Sequence, residues 1–355
     1  MQMGQRGSMA LSKYLVVPFR RIAAISCAGI LAFAASSAAW AEDQPFLQPA
    51  LGRAADYSPV YPTNSFPAGT REIIAVFRLA PGEIFRSFTG QLVAVDVGTV
   101  APPNFHVARA ELKSRIGDHG DFRFSLPRPF PAGRYRLDVT GDGRLWKSAE
   151  FTVADAAAAA PLPPADEVVP LADRQSWSYD FLLETGPGVH LTMENATAGA
   201  DGKFHGTETE RVLDHDAAGA RIEFRLGPTP LEEWLQIGSK GLVITQRKIQ
   251  GQLFVFDPPQ LILPWPPHTP QSWDWRHKDR TVGIHQTSHM WGPVPVIGPQ
   301  GPTPGFVVLT QEQEPDSPLI TFERHYVPGF GKVCEVLTEA VNGELIFRQV
   351  LTLKK

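Results

Sequence analysis

The sequence predicts an all-β protein in which a β-sandwich precedes a larger antiparallel sheet that is strongly curved or forms a half-barrel. Three observations favour this fold class. Apolar residues alternate with polar ones at period 2 along most of the chain, the pattern of half-buried strands. Gly and Pro together account for 64 of 355 residues, which indicates many turns and many short elements. No long stretch has the 3.6-residue periodicity of an amphipathic helix.

The first 41 residues have the pattern of a secretory signal peptide. Two arginines precede an apolar run over residues 22–39, and Ala39-Trp40-Ala41 fits the small-x-small cleavage site, with Glu42 as the new N-terminus. The alternative is a transmembrane anchor, because a run of about 18 apolar residues approaches spanning length. The Ala- and Ser-rich run and its processing site favour cleavage. We therefore expect a periplasmic or secreted protein, from a Gram-negative bacterium.

The charge of the mature chain limits its partners. Residues 1–41 hold four basic residues and no acidic one, so the mature chain has 29 basic and 37 acidic residues and a net charge of −8. This acidic balance disfavours nucleic acid and anionic membrane surfaces. No later apolar run could span a bilayer, so we expect no transmembrane segment after signal cleavage. The expected partners are a lipid, a glycan or an envelope protein, and no cofactor is expected.

Composition divides the mature chain into four segments. Residues 42–69 are spaced by prolines without periodicity and are predicted to be an extended or disordered lead-in. Residues 70–153 form the predicted sandwich. Residues 154–175 combine an alanine run with several prolines, which is typical of a semi-stiff linker. Residues 176–355 form the predicted half-barrel.

The sandwich is predicted from about seven strand-like segments in residues 70–153, a number that suits an immunoglobulin-like (Ig-like) domain. Phe122 and Phe124 alternate with polar residues, and Gly141-Asp142-Gly143 is a tight hairpin turn. Residues 124–153 resemble the closing strands of bacterial secreted Ig-like domains. That resemblance implies a recognition or spacer module.

About twelve strand-like segments follow the linker, and hairpin turns such as Ser239-Lys240-Gly241 and Asn342-Gly343 separate several of them. Consecutive hairpins predict an antiparallel meander, in which the interior is either filled by side chains or left as a cavity. A Y-x-P-G-x-G turn precedes the last hairpin, formed by Tyr326, Pro328, Gly329 and Gly331. This ending resembles exported half-barrel domains of the lipoprotein-carrier (LolA/LolB-like) kind. The carriers' helices have no counterpart here, so the resemblance implies the sheet more than lipid carriage.

The hairpin around Cys334 has a predicted register. A four-residue loop over 328–331 sets Val327 opposite Lys332, and further along Arg324 opposite Glu335, Phe322 opposite Leu337, Thr321 opposite Thr338 and His325 opposite Cys334. A Cys-His dyad is thus geometrically allowed. A mid-strand thiol, however, lacks the helix N-terminus and the oxyanion donors that activate a nucleophile. We expect a buried structural cysteine, with a reactive thiol as the alternative, and no catalytic residue.

His285 and His289 invite a metal-site interpretation, because helical i,i+4 spacing would place both on one ion. The β-branched residues around them favour a strand instead, in which i,i+4 separates the Cα atoms by about 13 Å. That distance is too long for two ligands of one metal ion. We therefore expect no metal site.

The segment over residues 256–275 holds six prolines and three tryptophans. Prolines cannot complete a strand ladder, so this segment is predicted to be an edge or a rim. Aromatic side chains at a rim could contact a sugar or an apolar ligand. The candidate ligand-binding residues are Trp265, Trp273, Trp275, Phe254 and Phe256. The alternative is that they cap the core of the half-barrel.

Three functions remain open. The first is a non-enzymatic periplasmic binding or carrier protein with an apolar or glycan-like ligand in the C-terminal domain. The second is a structural or assembly partner in an envelope complex. The third is an enzyme of unrecognised type, which is disfavoured because the sequence has no G-x-S-x-G, H-E-x-x-H, phosphate-loop or dinucleotide fingerprint.

Overall fold

In the computed structural model, every regular element of the described chain is a β-strand, which confirms the all-β fold class. The described residues are 44–112, 118–155, 168–171, 175–186, 189, 197–199, 202–216, 219–225, 230–266, 271–278, 283–314 and 317–354. The predicted signal peptide, residues 1–41, and most of the predicted linker, residues 154–175, lie outside these ranges. Within them, no helix has the length and apolar character needed to cross a membrane.

Within the described residues, nine strands form the N-terminal part. They are β1 (Phe46–Arg53), β2 (Pro59–Pro62), β3 (Ser65–Phe66), β4 (Glu72–Arg78), β5 (Phe88–Asp96), β6 (Phe105–Leu112), β7 (His119–Ser125), β8 (Gly133–Gly141) and β9 (Arg144–Val153). They build two sheets, in the orders β2-β1-β4-β7 and β3-β9-β8-β5-β6. The sheets share one core, in which the ring centroids of Phe77 on β4 and Phe88 on β5 lie 4.8 Å apart. This part of the chain is therefore a two-layered sandwich.

The residues that the apolar–polar alternation of the sequence assigns to the inner face lie in the sandwich core. Tyr135, Leu137 and Val139 on β8 are each at most 1 % exposed, as expected for one face of a strand. The turn into β9 has Asp142 and Gly143 at φ values of 50° and 78°, the left-handed pair that a two-residue hairpin requires.

The lead-in expected over residues 42–69 is the first correction, because this segment contains β1, β2 and β3. Leu51, Val60 and Phe66 are at most 2 % exposed and belong to the sandwich core. Pro59 and Pro62 are compatible with a strand because β2 lies at a sheet edge, where a missing N–H need not leave a ladder bond unmade. The segment thus folds into strands by burying scattered apolar residues, although its sequence has no regular alternation.

In the described ranges after residue 175, thirteen strands form the C-terminal part. They are β10 (Ser176–Thr185), β11 (Thr197–Ala198), β12 (Phe204–Asp216), β13 (Gly219–Arg225), β14 (Leu231–Gly238), β15 (Gly241–Ile249), β16 (Gln252–Pro264), β17 (Gln271–Lys278), β18 (Gly283–Gly298), β19 (Gly301–Gln313), β20 (Leu319–Val327), β21 (Gly331–Val341) and β22 (Glu344–Leu353). The antiparallel sheet runs β16-β15-β14-β13-β12-β10-β22-β21-β20-β19-β18-β17, with β11 attached to β12. This nearly closed, curved sheet confirms the predicted half-barrel.

The two ends of this sheet, β16 and β17, are consecutive in the chain but are not neighbours in the strand order. Side chains bridge them instead. The Nε1 of Trp273 donates to the Leu261 carbonyl at 3.0 Å, and the Nε1 of Trp275 donates to the Pro258 carbonyl at 2.9 Å. Because proline has no N–H for a ladder, indole donors link a seam that the backbone leaves open.

The predicted hairpin register is confirmed over most of its length. Arg324 lies opposite Glu335 and His325 opposite Cys334, and the predicted pairs at positions 321 and 322 are also present. The predicted Val327–Lys332 pair is wrong: a register shift after His325 places Val327 opposite Gly331. A bulge at this point shortens the loop by one residue, and Gly331 accommodates it with a φ of 77°.

Sandwich and half-barrel share part of one core. Trp291 and Leu309, from the β18–β19 hairpin, belong to the same buried cluster as the sandwich residues. Polar contacts join the two parts as well: Arg348 forms an ion pair with Asp56, and the Tyr61 N–H donates to Glu323 Oε1 at 3.1 Å. β9 ends at Val153 and β10 begins at Ser176, and the two parts are packed against each other.

Candidate functional site

A cavity of about 520 Å³ lies inside the half-barrel. Aromatic and aliphatic side chains cover much of its wall, but seven glutamates, two arginines and one lysine also line it. Val169, at the end of the linker segment, is part of the wall, and Val168 and Leu171 beside it are buried in the same core. The interior is therefore a mixed apolar and charged chamber.

Three of the five candidate ligand-binding residues line this cavity: Phe254, Phe256 and Trp275. Trp275 is 6 % exposed, and its ring meets that of Phe256 edge-on, with the centroids 5.4 Å apart. His277 stacks on Trp275 at 5.6 Å, meets Phe256 edge-on at 5.5 Å, and also lines the cavity. This aromatic group forms one wall of the chamber.

Trp265 and Trp273 are not among the residues that line the cavity. Both pack against the core of the half-barrel, and Trp265 meets Phe306 edge-on at 5.8 Å. Trp273 spans the seam between β16 and β17. Their positions match the capping alternative for this pair, whereas Trp275 lies on the cavity wall.

The opposite wall holds a buried charge network centred on Lys332. Its Nζ lies 2.7 Å from Glu210 Oε1 and 3.6 Å from Glu335 Oε2. Arg324 Nε donates to the same Glu335 oxygen at 2.6 Å, and the Tyr179 hydroxyl donates to Glu210 Oε2 at 3.2 Å. Each charge in this network thus has a partner of opposite sign, which is the condition for keeping ions buried.

The network shifts the pKa of its members in opposite directions. Burial acts to raise the pKa of Glu335, but the charges of Lys332 and Arg324 outweigh it and lower that pKa to about 2. Burial acts to lower the pKa of Lys332, but Glu210 and Glu335 outweigh it and hold that pKa well above its usual range. Both residues therefore stay charged at neutral pH.

Glu208 differs from the other cavity glutamates. Its side chain is 4 % exposed and faces the cavity, and within the described chain no hydrogen bond or ion pair reaches its carboxyl group. Burial raises the pKa of Glu208 well above its usual range, and the nearby charges of Glu210, Glu335 and Glu233 raise it further, against the opposing charge of Lys332. Glu208 thus has a carboxyl group that faces the cavity and receives no hydrogen bond from the described residues.

Replacement of Glu208 by glutamine is expected to stabilise the protein at alkaline pH. A carboxyl group whose folded pKa is raised contributes stability at low pH, and that stability is lost as pH rises from the unfolded pKa through the folded one. The neutral glutamine lacks this loss, so Glu208→Gln should exceed the wild type by about 1–3 kcal/mol at pH 8 and match it near pH 4.

Urea unfolding at the two pH values measures this difference. Glu233→Gln is the matched control, because Glu233 also lines the cavity but accepts a hydrogen bond from Arg247 Nε at 2.7 Å. That variant is expected to lose stability at pH 8. A Glu208→Gln protein that is equally destabilised at both pH values would contradict the prediction.

The inward direction of Glu208 and Glu210 on β12 was not predicted from the sequence. The notable signal is the run Thr207-Glu208-Thr209-Glu210-Arg211-Val212, in which the two glutamates share a strand face with the apolar Val212. In the structure all three are buried and their neighbours are more exposed. An acid in phase with the core side of a strand was therefore readable as an inward-facing charge.

Cys334 and His325 lie opposite each other, and Cys334 is half-buried rather than fully buried. His325 Nε2 hydrogen-bonds to Glu323 Oε1 at 2.7 Å. Burial raises the pKa of the Cys334 thiol to about 12, and the carboxylates of Glu323 and Glu335 contribute to the rise. The pKa of an activated cysteine is lowered, so the raised pKa of Cys334 favours the structural interpretation.

Cys334 is therefore expected to react slowly with thiolate-directed reagents in the folded protein. A pKa of about 12 lowers the thiolate fraction at pH 8 about a thousandfold relative to an ordinary thiol. Alkylation by iodoacetamide, followed by mass spectrometry, compares the folded protein with the protein in urea. Rates within about tenfold of each other would contradict the raised pKa.

The histidine pair on β18 has local partners. His285 Nε2 lies 3.1 Å from Asp274 Oδ1, and His289 Nδ1 lies 2.8 Å from Ser272 Oγ. Over the described ranges, no group of three or more His, Cys, Asp or Glu side chains is arranged to hold a metal ion. The strand that the sequence predicted here is present as β18.

The cavity has the volume and the largely apolar surface of a small-molecule site, together with many charged side chains. What it offers chemically is hydrophobic contact, aromatic stacking and a carboxyl group without a partner. No family model, curated protein or solved structure matches this chain.

Proposed function

We propose that this chain is an exported, non-enzymatic binding or carrier protein whose half-barrel holds a small ligand. The cavity carries this proposal: its volume of about 520 Å³ lies within the range of small-molecule sites, about 300–1,000 Å³. Its aromatic wall suits the apolar or glycan-like ligand expected from the sequence. The sandwich, as an Ig-like module, recognises a partner or acts as a spacer.

Filling the cavity tests this proposal. Ile244 is 4 % exposed and lines the chamber, so Ile244→Trp should reduce binding of the neutral fluorescent probe N-phenyl-1-naphthylamine at least about tenfold. Ile297→Trp is the control, since Ile297 is 52 % exposed. Equal probe affinity in both variants and the wild type would place binding elsewhere and overturn the proposal.

Native mass spectrometry of the protein purified from its own cells separates the proposal from its alternative. Extra mass that is lost on denaturation supports a bound small ligand. A co-purifying polypeptide with an empty cavity supports the structural or assembly role in an envelope complex instead.

Export is proposed from the Ala39-Trp40-Ala41 site, and cleavage is expected after Ala41. Fractionation of cells and N-terminal sequencing of the mature protein would show Glu42 as the first residue. Uncleaved protein in the membrane fraction would favour the anchor alternative.

A further inference from the structure

The cations of the cavity wall are already paired. Arg247 lies 2.6 Å from Glu233, Arg324 lies 2.6 Å from Glu335, and Lys332 lies 2.7 Å from Glu210. Seven glutamates face only these three cations, so the wall retains an excess of acid. The unbalanced charge in the chamber is negative.

The remaining four glutamates are not equivalent. Glu312 accepts a hydrogen bond from Gln286 Nε2 at 2.6 Å, and Glu312, Glu314 and Glu339 each have further polar or electrostatic contacts. Glu208 alone among the seven has no hydrogen bond or ion pair from the described residues. Its side chain is 4 % exposed, and no protein donor satisfies its carboxyl group, as a buried acid usually requires.

Aromatic residues lie beside Glu208 and Glu210 on the neighbouring strands. Tyr179 lies directly opposite Glu208 in the sheet, and Trp177 and Phe224 flank the next inward position, Glu210. All three rings line the cavity. The rings of Tyr179 and Phe224 already lie near one cation, the Lys332 ammonium, at 5.3 and 5.8 Å. Aromatic faces next to a carboxylate are a suitable environment for an ammonium group.

We propose that the ligand of this cavity is a cationic amphiphile, with an ammonium group on Glu208 and a hydrocarbon body against the aromatic wall. The inference rests on the proposed function and specifies its ligand class. The ammonium group supplies the donors that Glu208 lacks and offsets the acidic excess. The apolar residues toward Trp275 and Phe256 exclude water from the hydrocarbon part.

Three chain-matched probes test the inference by calorimetry at pH 7.5: n-octylammonium, n-octanol and n-octanoate. The wild type should bind octylammonium at least about tenfold more tightly than octanol, and octanoate most weakly. Glu208→Gln should lose this preference and keep its affinity for octanol. Glu232→Gln is the control, because Glu232 pairs with Lys248 and does not line the cavity, and it should keep the preference.

The outcomes separate this inference from the proposed function. Equal binding of all three probes, or a preference for octylammonium that survives in Glu208→Gln, overturns the cationic ligand and leaves a binding cavity. Binding of none of the probes, with Ile244→Trp unchanged in its interaction with N-phenyl-1-naphthylamine, overturns both. A preference for octylammonium that Glu208→Gln removes supports both.

Discussion

Replacement of Lys332 by methionine is expected to lower the free energy of unfolding by about 3–5 kcal/mol. The substitution keeps the length and apolar stem of the side chain but removes the cation between Glu210 and Glu335. Arg324 still pairs with Glu335, so the uncompensated charge is that of Glu210, which is 6 % exposed. Loss of one partner of a buried ion pair costs more than the pair contributes, because the other charge remains desolvated.

The loss should depend on pH with a definite sign. Burial already raises the pKa of Glu210, and Lys332 opposes that rise. Without Lys332 the folded-state pKa of Glu210 rises further, so the variant gains stability as pH falls and Glu210 becomes neutral. Denaturant unfolding at pH 8 and pH 5 should therefore show a larger deficit at pH 8.

Lys248→Met is the matched control for this substitution. Lys248 also lies 2.7 Å from a glutamate, Glu232, but its side chain is 40 % exposed. Water and salt screen such a pair, so a loss within about 1 kcal/mol is expected. Equal losses in the two variants would show that the Lys332 network does not act as a buried one.

Replacement of Trp291 by alanine should lower the free energy of unfolding by about 3–5 kcal/mol and destabilise the sandwich as well as the half-barrel. Trp291 is 9 % exposed and belongs to the core cluster of the sandwich, although it lies on β18. It approaches β1 at Gly52, where an added Cβ would lie 3.5 Å from its Cη2 and 2.7 Å from Leu309 Cδ2. The glycine thus creates room for side chains of the half-barrel.

Hydrogen exchange in increasing urea measures this coupling, because it reports protection in each part separately. Both parts should lose protection at the same urea concentration, and Trp291→Ala should lower that concentration for both. Trp234→Ala is the control: Trp234 is half-buried on β14 beside Arg221, and a smaller loss of about 1 kcal/mol is expected. A shift confined to the half-barrel would show that the two parts fold independently.

Local patterns were sufficient to predict much of the fold. The period-2 alternation located β8, and the Asn342-Gly343 and Asp142-Gly143 dipeptides located two hairpin turns, because both need residues that tolerate positive φ. Complementary charge gave the Arg324–Glu335 pair. The bulge next to Tyr326 was not predictable, because a four-residue loop and a shorter bulged loop satisfy the same upstream pairs.

The candidate site was predicted only in part. The proline- and tryptophan-rich segment indicated a rim, and three of its five candidate residues line the cavity. Trp265 and Trp273 could not be separated from Trp275 by sequence, because the segment has an irregular ladder and no simple alternation. The charged wall was missed because Glu208 and Glu210 on β12 are distant in the chain from the β20–β21 hairpin that holds Arg324, Lys332 and Glu335.

The sequence by itself determined the β-class of the chain and the two faces of the regularly alternating strands. The tertiary structure decided which of those faces became the interior. Glu232 and Glu233 are adjacent on β14 and both buried, yet only Glu233 lines the cavity. The physical reason is that strand periodicity is local, whereas the direction in which a sheet curves depends on contacts between strands far apart in the chain.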